Sequence, residues 1–104
     1  MSSIVEINER PTIADGCAGN IEPGSITFPI IQRYVDDIIL VSEELILNAI
    51  ENIAREEHLI IEGSAATGIA ALNDKRFDAR SVAAIITGRN ISLDVFAGVI
   101  SSQR

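Results

Sequence analysis

Two apolar runs without alternation, residues 38–41 (IILV) and 82–86 (VAAII), are each bounded by polar or turn residues. Such runs suit strands buried on both faces of a parallel sheet. After the first run the period becomes helical. Leu45, Ile46, Ala49, Ile50, Ile53 and Ala54 fall on one face, while Asn48, Glu51, Asn52, Arg55 and Glu56 take the other. Ser42 stands where an N-cap is needed, with Glu43 and Glu44 in the first turn to meet the helix dipole; Leu45 leaves the capping box incomplete. A short extended link at 58–61 follows. Ser64 is then placed to cap a helix whose early turns hold almost nothing larger than Thr67, so it can approach a neighbouring backbone or a ligand closely. A polar connection, 73–80, leads to the second apolar run. Ser92 caps a last helix over 92–103, with Leu93, Phe96, Ala97 and Ile100 expected on its inner face.

The first third is less regular. Ile4, Val5 and Ile7 read as a short extended segment that ends before Pro11. Turn signals at Asp15 and Gly16, Gly19 and Asn20, and Pro23 and Gly24 make 13–24 a long loop, a length often tied to function. Ser25 or Thr27 can cap a helix through Tyr34, with Pro29 tolerated in its first turn and Phe28, Ile31 and Val35 as its buried stripe.

At 104 residues the chain is expected to form one domain, 1–104. The alternation of elements predicts an α/β fold, a small mostly parallel sheet covered by helices. Hydrophobic residues make up 47% and aromatics 4%, so the core is built from Ile, Val, Leu and Ala. A domain this small leaves apolar surface that a partner or further chain is expected to cover. The net charge of −7 argues against duplex nucleic acid as a partner, and the basic residues are scattered. No run approaches the ~20 apolar residues that cross a bilayer, so no membrane is expected. The N-terminal stretch does not read as a signal peptide, and a single cysteine fits a reducing compartment; a cytoplasmic location is expected.

Single-residue candidates for chemistry are few. His58 at a helix end, the lone Cys17, and the adjacent Asp36 and Asp37 read better as a terminal cap, a small packed residue and a solvated pair, so no catalytic or metal-binding residue is assigned. Glu62 lies between an apolar run and a Gly–Ser turn, where a partly buried carboxylate needs a partner. Residues 82–90 form an apolar strand that ends in the turn TGRN ahead of a helix, an arrangement by which α/β proteins build ligand sites.

The order of pieces is more specific than any one of them. TIADG, a Pro–Gly loop, TFPII, VDDIILVSEE, LIIEGSAA and an apolar strand into TGRN together resemble the C-terminal part of a threonine or serine dehydratase. These are pyridoxal-phosphate enzymes of the tryptophan-synthase-β-like fold, related to serine racemase. The resemblance runs from about Pro11 to Asn90. It implies a partial three-layer sandwich and, in the intact parent, elimination of water from an amino-acid substrate. It also implies that Thr87 supplies the hydroxyl facing the cofactor's ring nitrogen, with Gly88 and Asn90 in the same turn. Glu62 and Gly63 match the family's Glu followed by Gly or Pro near the ring face.

Two departures accompany these matches. Arg89 replaces a family glycine, and a family glycine within residues 64–66 is Ala; either change can narrow the cofactor pocket. The family's phosphate loop and the lysine that carries the cofactor have no counterpart here. Lys75, the only lysine, sits in a polar turn and reads as a surface residue. The resemblance therefore implies pyridoxal phosphate in the parent, none bound by this chain alone, and no catalysis by it. The alternative is a non-catalytic domain that self-associates or binds a protein. On either reading a homo-oligomer, or a complement to missing chain, is expected.

Overall fold

A computed structural model of the chain describes residues 3–74 and 81–103. Lys75 and most of the polar connection at 73–80 lie outside them. The elements run in the order of a short 3-10 turn, Asp15–Cys17, then α1, Thr27–Tyr34, α2, Glu43–Glu57, α3, Gly63–Leu72, and α4, Leu93–Ser102. α2 is the frame. The Ser42 hydroxyl accepts from the Leu45 amide at 3.2 Å, as the sequence predicts. At the other end His58 takes the left-handed conformation (φ 56°), so its main chain closes the helix onto the Ile53 carbonyl.

Ile46, Ala49 and Ile50 of α2 face Ala65, Ala66 and Ala70 of α3, and Val99 of α4 completes the cluster. The small residues of α3 let it pack closely on α2, so the expectation of close approach holds for protein backbone. Ile61, fully buried, anchors the link that joins α2 to α3. α3 begins two residues earlier than expected. Glu62 is the N-cap and Ser64 lies inside the helix, because the extended backbone that a cap requires (φ −84°, ψ 165°) falls at Glu62. Ser92 caps α4 as predicted, accepting from the Val95 amide at 3.2 Å. The inner face of α4 is Phe96, Val99 and Ile100, however, while Leu93 and Ala97 are exposed.

The sheet expected from the strand segments 38–41 and 82–86 is not seen among the described residues. Among the described residues no strand is present: 4–7, 38–41, 58–61 and 82–86 are without regular structure. Ile38 and Leu40 are 71% and 82% exposed, and Ile85 is 80% exposed. A strand is assigned only where a neighbour shares its ladder, and no such ladder forms among the described residues. The same lack of cover explains α1. Neither Ser25 nor Thr27 caps it; their hydroxyls bond each other at 2.8 Å. Ile31 and Val35 are exposed and Phe28 only half-buried. Elsewhere a side chain stands in for a strand. The Asn20 carboxamide accepts from the Ile7 amide at 2.8 Å and donates to the Ile7 carbonyl at 3.1 Å.

The radius of gyration is 14.9 Å, against about 13 Å for a compact chain of this length. Stability is therefore concentrated in the α2–α3–α4 cluster. Ile50→Ala is expected to cost about 2–5 kcal/mol, and Ser42→Ala about 1 kcal/mol. Urea titration followed by helical circular dichroism measures both.

Candidate cofactor site

The residues that the sequence singles out around Glu62 and the turn at 87–90 lie far apart in the chain, and the fold brings most of them together. The link ahead of α3 runs beside the turn. The Glu62 amide donates to the Gly88 carbonyl at 3.3 Å. The Glu62 carboxylate in turn accepts from the Asn90 amide at 3.1 Å. Arg89 adds a third tie, its Nε donating to the Ile60 carbonyl at 3.3 Å. One residue thus meets the turn with both its main chain and its side chain, which satisfies the partner requirement anticipated for Glu62.

Two glycines permit the approach. A Cβ on Gly88 would overlap the Glu62 carboxylate, and one on Gly63 would overlap the Ile13 carbonyl. Gly63 therefore admits the loop 12–17 against the first turn of α3. That loop is secured by a residue which sequence reasoning placed only in a helix dipole. The Glu43 carboxylate accepts from the Thr12 hydroxyl at 2.7 Å and from the Ile13 amide. The signal was present in the sequence as a carboxylate at the first position of α2, but its partners lie some thirty residues away.

Loop, link and turn enclose a cavity of about 260 Å³, lined by Ile13, Asp15, Glu62, Gly63, Asn90 and Ser92 among others. Three of the five predicted site residues, Glu62, Gly63 and Asn90, line it. Gly88 is half-buried against the Glu62 carboxylate, and Thr87 is exposed and does not line the cavity. Arg89 is also outside the lining, its side chain tied back to Ile60, so it does not fill this space. The family glycine replaced by Ala falls where Ala65 and Ala66 are buried in the helical core, away from the lining. Asp15 was not anticipated.

A larger groove of about 510 Å³ lies between residues 7–12 and 17–19. Its wall includes the 82%-exposed Leu40, and none of the bonds between Glu62, Arg89 and their partners involves its lining. The smaller cavity is the better-built site. Cys17 is exposed beside the larger groove, and no group of metal-ligating residues occurs among the described residues.

The model of pyridoxal-phosphate dependent enzymes matches residues 2–88 of the chain. The chain belongs to that family. L-threonine ammonia-lyase of Thermotoga maritima is 35% identical over 96 residues, a span of 91% of this chain and 24% of that protein. The catabolic L-threonine dehydratase TdcB of Staphylococcus aureus (strain N315) is 35% identical over 103 residues, 94% of this chain and 30% of the relative. Serine racemase from Dictyostelium discoideum superposes with a TM-score of 0.74 at 40% identity, covering 85% of this chain and 29% of the other. The described helices therefore follow part of the serine racemase fold. The chain spans between a quarter and a third of the length of these relatives.

The two glycines are expected to respond differently to a methyl group. Gly63→Ala meets fixed backbone and should cost about 1–3 kcal/mol. Gly88→Ala meets only the end of a flexible carboxylate. It should leave the melting temperature nearly unchanged while the Asn90 amide, its acceptor displaced, loses protection in hydrogen exchange. Equal melting shifts for the two variants would contradict this account.

Proposed function

We propose that this chain forms one side of the active site of a pyridoxal-phosphate-dependent ammonia-lyase acting on L-threonine or L-serine. The products of such an enzyme are a 2-oxo acid and ammonia. The observation that carries the reading is the clasp between Glu62 and residues 88–90, which sets the turn bearing Thr87 beside a cavity. The 35% identity to two proteins named for the deamination of threonine supports it.

Thr87, Gly88 and Asn90 would hold the ring-nitrogen edge of the cofactor, with Glu62 and Gly63 beside the ring. Bound there, pyridoxal phosphate supplies an electron sink for loss of the α-proton and the β-hydroxyl. Thr87 would present a neutral hydroxyl to the ring nitrogen rather than a carboxylate, a partner suited to elimination. Glu62 holds the turn in place from two directions. The donor set fits the ring edge but not the phosphate, because the carboxylates of Asp15 and Glu62 in the cavity lining repel a dianion. In this reading the phosphate cradle would come from other chain, as would the cofactor's lysine, which has no counterpart among the matched motifs. The 104-residue chain by itself is expected to be inactive.

In the same reading the extended segments at 38–41 and 82–86 are strands of a parallel sheet, completed by further chain or by a second copy. Their exposed Ile38, Leu40 and Ile85 favour this. Sedimentation of the chain at micromolar concentration should then give a mass above that of the monomer. A stable, well-folded monomer would count against the sheet assignment.

The functional reading is tested by substituting this chain for the matching stretch of the Thermotoga maritima enzyme. The hybrid should take up pyridoxal phosphate and release ammonia from L-threonine or L-serine. In it, Thr87→Ala should lower kcat about tenfold to a hundredfold, with Thr87→Ser close to the parent. A hybrid that folds and binds the cofactor yet deaminates neither amino acid refutes the proposal.

A further inference from the structure

Glu43 occupies the first position of α2, where a carboxylate is already favoured by the helix dipole without any other partner. Here it spans to a different part of the chain. One carboxylate oxygen accepts from the Thr12 hydroxyl at 2.7 Å and the other from the Ile13 amide. The Thr12 hydroxyl is used twice, since it also accepts from the Ala14 amide at 3.0 Å. Ala14 is 3% exposed within the core cluster, and the main chain of Ile13 lies against Gly63 without room for a Cβ. On the next residue but one, a Cβ at Gly16 would come within 2.7 Å of the Ser64 hydroxyl. The loop is thus held between the start of α2 and the start of α3, and it carries Ile13 and Asp15 into the cavity lining.

We infer that Glu43 is a positioning residue of the candidate cofactor site, acting through Thr12 and Ile13 to fix the wall that brings Asp15 into the cavity shared with Glu62 and Gly63. A charged acceptor binding two donors holds a loop more firmly than one neutral bond, and both donors come from consecutive residues of that loop. α2 is packed into the core through Ile46, Ala49 and Ile50, so the carboxylate that holds the wall stands on an anchored helix. Glu43 does not line the cavity itself. The inference rests on the proposed reading of this cavity, but the experiment below needs no cofactor, so the two can fail separately.

Cys17 is the only cysteine and is exposed at the end of the loop, which allows a nitroxide to be attached there in the full chain. In the parent sequence the label should broaden the amide signals of Gly63 and Ser64. Glu43→Ala and Thr12→Val should each lose that broadening and speed exchange of the Ile13 or Ala14 amide about tenfold. The amides of Ile50 and Ala66, in the core, should keep their exchange rates. Glu43→Gln, which retains one acceptor, should fall between. Broadening that persists in both Glu43→Ala and Thr12→Val overturns the inference. So does core exchange that accelerates in step with the loop, since that marks a general stabilising role. Thr12→Val leaves α2 intact and decides the matter if Glu43→Ala does not fold.

Discussion

The arrangement depends on how Glu62 resolves two demands at once. Its extended backbone starts α3, and the same residue closes on residues 88–90 through one main-chain and one side-chain bond. Without a sheet ladder among the described residues, these bonds and the one from Arg89 are what hold the turn to the helical core. Gly88 leaves room for the Glu62 carboxylate where a Cβ would otherwise be, and Gly63 is required because the main chain of Ile13 and Ala14 passes over it. The glycines do not serve flexibility here. They let three separate segments occupy one small volume.

Much of the helical content was legible in the sequence because its determinants are local. Ser42 and Ser92 cap where hydroxyls precede apolar periods, and the face of α2 that is buried is the one its period marks. The errors occur where burial depends on distant chain. α1 has an apolar stripe of which only Phe28 is half-buried among the described residues, and Leu93 and Ala97 of α4 are exposed because α2 meets the Phe96, Val99 and Ile100 side. The strand segments are apolar enough to be recognised, but a strand is a relation between chains of peptide groups and not a property of one. The site was partly legible. Glu62, Gly63 and Asn90 were found through family order, whereas Glu43 and Asp15 act through contacts that no local pattern encodes.

The kinship with pyridoxal-phosphate dependent enzymes gives the exposed apolar segments a consistent explanation. In Dictyostelium serine racemase the matching portion is 29% of a longer chain. Ile38, Leu40 and Ile85 are exposed, while the α2–α3–α4 cluster is buried by its own packing. Arg89 fits the same view. A long cation in a turn otherwise made of small residues is turned back onto the Ile60 carbonyl, where it reinforces the clasp and leaves the cavity clear.

The pairing of Asn20 with Ile7 has a bearing on colloidal behaviour. An unmated strand edge recruits other chains because its amides and carbonyls are free to hydrogen-bond. At Ile7 both groups are already taken by one carboxamide, held in place by Gly19 in a left-handed conformation (φ 117°). A polar side chain here does the work of a neighbouring strand without offering an edge of its own. At Ile7 the N-terminal segment therefore offers neither main-chain group to another chain.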